Sequence, residues 1–277
     1  MKVYFDRNVF DYIKRIKDAS NSTPAIDNLY QAVRDGKITI LLSTTLLEET
    51  LPFLKLSKNA LKEELENVFS LVEKRRMIKP AEDLLREAVQ SYAFGRKIPD
   101  RLTKTPRILI AFLMKGKVTH ELEEFIKGTL SRKDNFLESF TDAFEEARRL
   151  GEERNIGRPD NFQEFWNGMA TSIAESLAIR YELHKRCVER GIEGMIENRT
   201  IKLYSVYYAA WVFSKWFGEQ GEPGQVKASD GGDFFHAVQA SAADVFVTND
   251  KKLSRWLKQV SIEGFEIMNI AQFLEQL

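Results

Sequence analysis

Short apolar runs alternate with helix-spaced apolar positions at both ends of this chain, while the middle keeps only the helical spacing. Residues 2–5, KVYF, are β-prone, and Asp6-Arg7-Asn8 separates them from Val9, Phe10, Ile13 and Ile16, which share one helix face. The pattern predicts a helix over 24–35, a turn at Asp35-Gly36 and a second strand over 37–42, KITILL, followed by Ser43 and Thr44 as helix caps. The next helix starts near 45, kinks at Pro52 and resumes over 61–76; a weaker strand, MIKP at 77–80, leads into a helix over 81–94. From 96 to 222 the spacing predicts helices over 106–115, 119–130, 134–150, 160–190 and 200–218, broken at Gly151, Gly157-Arg158-Pro159, Gly191 and Gly194. After a Gly-rich loop, EPGQVKASDGG, follow a helix over 232–242, the strand DVFVT at 244–248, a helix over 250–258, a strand over 263–267 and a helix over 270–276.

Strands separated by helices pair in parallel through right-handed crossovers, so the expected class is α/β with a parallel sheet. The sheet domain is expected to be split, 1–95 and 223–277, around an all-helical insertion at 96–222.

Composition narrows this picture only a little. At 277 residues the chain suits one large domain or one domain with an insertion. Its 41 basic residues balance 41 acidic ones, so only local patches can speak for or against a polyanionic partner. The single Cys187 excludes an intramolecular disulfide and a cysteine zinc cluster, and three scattered histidines argue against a His-rich metal site. The N-terminus carries charges where a signal peptide needs an apolar stretch, and no run reaches membrane-spanning length. The expectation is a soluble, cytoplasmic protein with no membrane partner.

The candidate chemistry lies in acidic residues at strand ends. Asp6 ends the first strand and Asp250 follows DVFVT by two residues, so both fall on the edge where parallel sheets carry their ligand sites. Glu48 and Glu49 lie on the helix after the second strand, and Asp230 and Asp233 open the helix before DVFVT. Several carboxylates in one cleft repel one another unless divalent cations sit between them. An oxygen-only donor set, with no His or Cys beside it, favours Mg²⁺ or Mn²⁺, and phosphodiester hydrolysis follows from that arrangement.

Each residue also has a plainer use. Asp6 and Asp250 are placed to cap helices, Asp230 to cap the helix that Asp233 opens, and Asp244 to sit in a surface turn at the opposite edge. His236, three residues after Asp233, is read as a partly buried side chain that bonds a backbone carbonyl and packs the helix on the sheet; a general base is the other reading. Tyr204, Tyr207, Tyr208, Trp211, Phe213, Trp216 and Phe217 recur at helical spacing and suit core packing better than base stacking. Residues 96–117 hold Arg96, Lys97, Arg101, Lys104, Arg107, Lys115 and Lys117 against Asp100 alone, a balance that suits either phosphate contacts or a solvated face.

The sequence resembles the PIN-domain nucleases. VYFDRNVF is similar to that family's opening strand with its Asp and a polar residue two positions on, LLSTTLLEE to its Ser, five variable residues, Glu pattern, and DFFHAVQASAADVFVTND to its Asp-x-x-His helix and apolar strand ending in Thr-x-Asp. The resemblance covers about residues 1–80 and 229–277. It implies a PIN-like three-layer sandwich, a catalytic and metal-binding set of Asp6, Glu49, Asp233 and Asp250 holding Mg²⁺ or Mn²⁺, and Asn8, Ser43 and Thr248 as polar supports, with Asp230 and His236 beside them. It implies single-stranded RNA as substrate. The segment 96–222 has no counterpart in the minimal fold, so a protein partner for it is left unidentified, and a homodimer is compatible with it. A catalytically silent PIN-like interaction module and a structure-specific DNA nuclease are the alternative functions.

Overall fold

A computed structural model describes residues 1–19, 23–115, 118–128, 161–217 and 228–277, with 131, 149 and 159 besides. Among these, six strands form one sheet: β1 (Lys2–Phe5), β2 (Thr39–Ser43), β3 (Val72–Ile78), β4 (Leu102–Lys104), β5 (Val245–Val247) and β6 (Glu266–Met268). Their order is β4-β3-β2-β1-β5-β6, and every pairing is parallel except β3 with β4. The protein is thus α/β with a mostly parallel sheet.

The central position of β1 follows from its side chains. Val3, Tyr4 and Phe5 are all buried, as a strand covered on both faces must be. Val3 and Phe5 join one core, packed by α1 (Arg7–Asp18), α2 (Pro24–Arg34), α4 (Lys58–Phe69) and α6 (Arg107–Lys115). Tyr4 joins the other, packed by α5 (Ala81–Ala93), α8 (Phe162–Arg180), α10 (Arg199–Phe217) and α11 (Ala228–Ala240). Among the described residues there are also α3 (Thr44–Thr50), α7 (120–128), α9 (His184–Glu189), α12 (Lys251–Leu257) and α13 (Ile270–Leu274), with 3-10 helices at Leu51–Lys55 and Ile192–Glu197. Residues between 96 and 217 therefore contribute to both cores. No helix among the described residues is long and apolar enough to cross a membrane.

Several boundaries differ from the pattern-based reading. The helix after Pro52 ends at Phe69, and Val72–Ile78 is a strand where a helix was expected to reach 76. Its charged middle, Glu73 to Arg76, mimics a helix surface, but pairing with β2, through a register shift after Ile40, supplies its backbone partners. β4 falls inside a segment expected to be all helix; three residues, LTK, are too few to show a strand period, and tertiary pairing with β3 decides. The predicted helix over 160–190 breaks at Glu182, which adopts a left-handed φ of 59°. The predicted helix over 134–150 lies, residue 149 apart, outside the described residues, as do residues 222–227 of the Gly-rich loop. The rest of that loop is helix: α11 begins at Ala228, so Asp230, Gly231 and Gly232 are helical.

The aromatic set on α10 packs as expected of a core. Tyr204 meets Phe234 at 4.9 Å between centroids, Tyr207 meets Trp256 at 5.4 Å, and the Tyr207 hydroxyl donates to the Asp230 carbonyl.

Candidate metal centre

Three chain segments bring their side chains together beyond the ends of β1 and β2. Asp6 follows β1 directly; α3, launched by Ser43, carries Glu49; α11 carries His236. One donor atom from each of Asp6, Glu49 and His236 lies within 4.8 Å of the other two. His236 Nε2 is 3.1 Å from Glu49 Oε2 and 3.6 Å from Asp6 Oδ1.

Asp6 stands at the cap position of α1 but makes no capping hydrogen bond with its side chain. Its Oδ2 accepts instead from Asn8 Nδ2 at 2.6 Å and Thr248 Oγ1 at 2.7 Å, which leaves Oδ1 facing the cluster. Thr248 Oγ1 also accepts the Asp250 N–H, and Asn8 Oδ1 accepts the Asn249 N–H. Asn8 and Thr248 thus fasten the end of β1 to the segment after β5. Burial raises the Asp6 pKa; His236 pulls it down and Glu49 pushes it up again.

Glu49 is held by local chemistry around α3. Ser43 Oγ accepts the Leu46 N–H at 3.0 Å and so caps the helix, while the Arg7 guanidinium donates to Thr50 Oγ1 at 3.0 Å and pairs with Glu64. Arg7 is next to Asp6, and Thr50 next to Glu49, so one side chain couples the two backbones. Gly232 permits the approach of α11: a Cβ there would stand 3.3 Å from Glu49 Oε1.

His236 overturns its plain reading. Its Nδ1 bonds the Tyr4 hydroxyl at 2.5 Å, which bonds Ser43 Oγ at 2.8 Å, and no backbone carbonyl is involved. Burial alone disfavours the imidazolium, but Glu49 and Asp6 outweigh it and hold the pKa up to about 9. At neutral pH the ring is a cation between two carboxylates. The donor set was expected to be oxygen-only, whereas the tight group that could hold a metal includes an imidazole nitrogen. Tyr4, which the sequence reading did not single out, joins the candidate site through this bond. Its signal was strand parity: Tyr4 and Asp6 are two positions apart and point to one face.

The other acids are placed less centrally. Asp233 is half-buried and outside the tight group, yet burial, then the Asp250 charge, push its pKa up to about 7, with Asp6 adding to the effect. Asp250 caps α12, accepting the Leu253 N–H at 2.8 Å, and its charge reaches Asp233. Asp230 is not a cap, since it lies inside the first turn of α11. It is buried and pairs with Lys215 Nζ at 2.9 Å and Lys252 Nζ at 3.0 Å. Asp244 is exposed and accepts the Lys2 N–H at 2.8 Å at the start of β1, in keeping with a turn residue at the opposite edge.

The basic stretch is spread over several elements. Arg96 lies over the Phe94 ring, Lys104 faces Arg76 across the β3–β4 pair, and Arg107 and Lys115 are exposed on α6. Lys97 is exposed, Arg101 is partly buried, and Lys117 lies outside the described residues.

The donor set suits a divalent cation. The repulsion between the Asp6 and Glu49 carboxylates, to which Asp250 and Asp233 add, is offset in the ion-free chain by the imidazolium charge of His236. If an ion is held there, the Nδ1 contact with Tyr4 would orient the His236 ring with Nε2 toward it. Comparison with known protein families, with curated proteins and with solved structures returned no match.

Proposed function

We propose that this protein is a Mg²⁺- or Mn²⁺-dependent nuclease with a PIN-like sandwich, hydrolysing phosphodiester bonds of single-stranded RNA. The observation that carries this reading is the convergence of Asp6, Glu49 and His236 within 4.8 Å beyond the strand ends, with Asp233 and Asp250 adding charge at the rim. The imidazole in the donor set tilts the choice from Mg²⁺ toward Mn²⁺, because nitrogen donors suit transition metals better than Mg²⁺.

In this reading Asp6, Glu49 and His236 hold the cation, with Asp233 and Asp250 placed to complete its surroundings. When bound, such an ion lowers the pKa of a water and neutralises charge on the leaving oxygen. The chain's own contribution is position and proton control. Asp6 is locked through Oδ2, so only Oδ1 is offered to the cluster. Glu49 is aimed by a capped helix, and the Tyr4–Ser43 pair holds the His236 ring by Nδ1, with Nε2 toward Glu49 and Asp6. Burial and the Asp250 charge raise the Asp233 pKa to about 7 without a cation, and a bound ion would lower it, so that Asp233 would face the ion as a carboxylate.

The test is cleavage of labelled single-stranded RNA and of DNA of the same sequence with Mn²⁺, comparing wild type with Asp6→Asn, Glu49→Gln and Asp233→Asn. Wild type is expected to cut RNA and the variants to lose more than about a hundredfold, the upper range of outer-shell changes alone. Failure of wild type to cut either polymer, or cutting by the variants at wild-type rate, sinks the reading.

A further inference from the structure

One guanidinium in the basic stretch has a surrounding that surface cations lack. Residues 97–102, which lead into β4, line a cavity of about 370 Å³ together with Lys2 and Ala242. Lys2 begins β1 and Ala242 precedes β5, whereas Asp6 and Asp250 follow the same two strands. The cavity is therefore at the other end of those strands from the carboxylate cluster, and its chemistry is of opposite sign.

Three cations, Lys2, Lys97 and Arg101, line it against one acid, Asp100. That acid is occupied elsewhere, with Oδ2 on the Arg76 guanidinium and Oδ1 accepting the Leu102 N–H. Arg199 stands behind and spends its guanidinium on the carbonyls of Ala243, Glu263 and Gly264, so its charge meets no carboxylate there. Arg101 Nε is buried and has no acceptor among the described residues. Burial, then the Arg199 charge, lower the Arg101 pKa. A partly buried guanidinium with a covered, unmatched Nε and a second cation behind it is costly, and an anion in the cavity offsets its charge.

We infer that this cavity binds a small phosphate monoester of mononucleotide size, its phosphate on Arg101, Lys97 and Lys2 and its organic part against Ile98, Pro99 and Leu102. The volume falls in the range of small-ligand sites. A terminal phosphate carries the charge that three cations call for and can enter a recess. A diester within a strand is flanked on both sides and carries a single charge. The site takes no part in the proposed hydrolysis and stands or falls apart from it.

Calorimetric titration of the full chain in EDTA, which keeps divalent ions off the carboxylates, tests this with 5′-AMP, inorganic phosphate and adenosine as probes. AMP is expected to bind one per chain, phosphate more weakly and adenosine not at all. Arg101→Gln should weaken AMP binding by about tenfold or more, and Arg101→Lys, which keeps the charge and loses the fork, should weaken it too. Lys97→Ala, at an exposed position, carries the test should Arg101→Gln fail to fold. The inference is overturned if AMP does not bind, if adenosine binds as tightly, or if the Arg101→Lys and Lys97→Ala variants bind AMP like wild type. It is equally overturned if an oligonucleotide lacking a terminal phosphate displaces AMP at equal concentration. Asp6→Asn should bind AMP like wild type, which separates this result from the nuclease test.

Discussion

At the residue scale the centre is a set of charges held together by one proton. His236 is charged up to about pH 9 in the folded protein, against an ordinary value of 6.5. Its pairing with Glu49 and Asp6 thus stabilises the metal-free fold fully below about pH 6.5, and that contribution is lost as pH rises through 9. Asp233 keeps its proton to about pH 7 instead of 3.8, so its contribution is complete at acid pH and gone above 7. Both effects have one sign: the melting temperature of the metal-free protein should fall as pH rises from 6 toward 9, and a flat profile would refute the assignment. A cation must displace the His236 proton, so Mn²⁺ affinity should rise over the same range with proton release, measurable by titration in buffers of different ionisation enthalpy. Thr248→Val removes one acceptor of the Asp250 N–H and one donor to Asp6. It should cost about 1–3 kcal/mol in denaturant unfolding and about 10–100-fold in cleavage.

At the element scale the site depends on how α11 passes α3. Two successive glycines disfavour a helix, and the sequence pattern accordingly reads Gly231-Gly232 as loop. Both are helical in α11, and at 232 a Cβ would come within 3.3 Å of Glu49 Oε1, a contact that glycine relieves. Gly232→Ala should therefore separate stability from activity. The clash falls on the movable end of Glu49, so stability holds or rises by up to about 1 kcal/mol, while a displaced Glu49 lowers cleavage. Thermal melting alongside the RNA assay decides it, and equal activity would show that Glu49 need not sit where it does. By contrast, Ser43 was legible as a cap from its place between a strand and a helix, and Asp6 and Asp250 from their place at strand ends. His236 was not, because a lone histidine on a helix does not reveal what faces it.

For the whole molecule, the buried Asp230 ties three helices, accepting Lys215 of α10 and Lys252 of α12 from its own place on α11. Asp230→Ala leaves Lys215 buried without its carboxylate and should lower stability by about 3–5 kcal/mol, read from denaturant unfolding. If the loss is within the error of the measurement, this ion group does not hold α10 to the sheet layer. The chain's local pattern was enough to determine that strands alternate with helices, that the sheet is mostly parallel, and which strand ends carry acids, since all of these follow from side-chain period and turn chemistry; it did not foresee that β4 runs antiparallel to β3 although α5 lies between them. It was not enough for β4, for the extent of β3, or for the fate of residues 96–222, because three-residue strands and charged strand surfaces take their identity from their neighbours. Only the tertiary structure decided that Tyr4 and His236, 232 residues apart, share a hydrogen bond, and that Asp230 serves an ion group instead of a helix end. The physical reason is the same in each case: local sequence sets which face a side chain takes, and packing sets what that face meets.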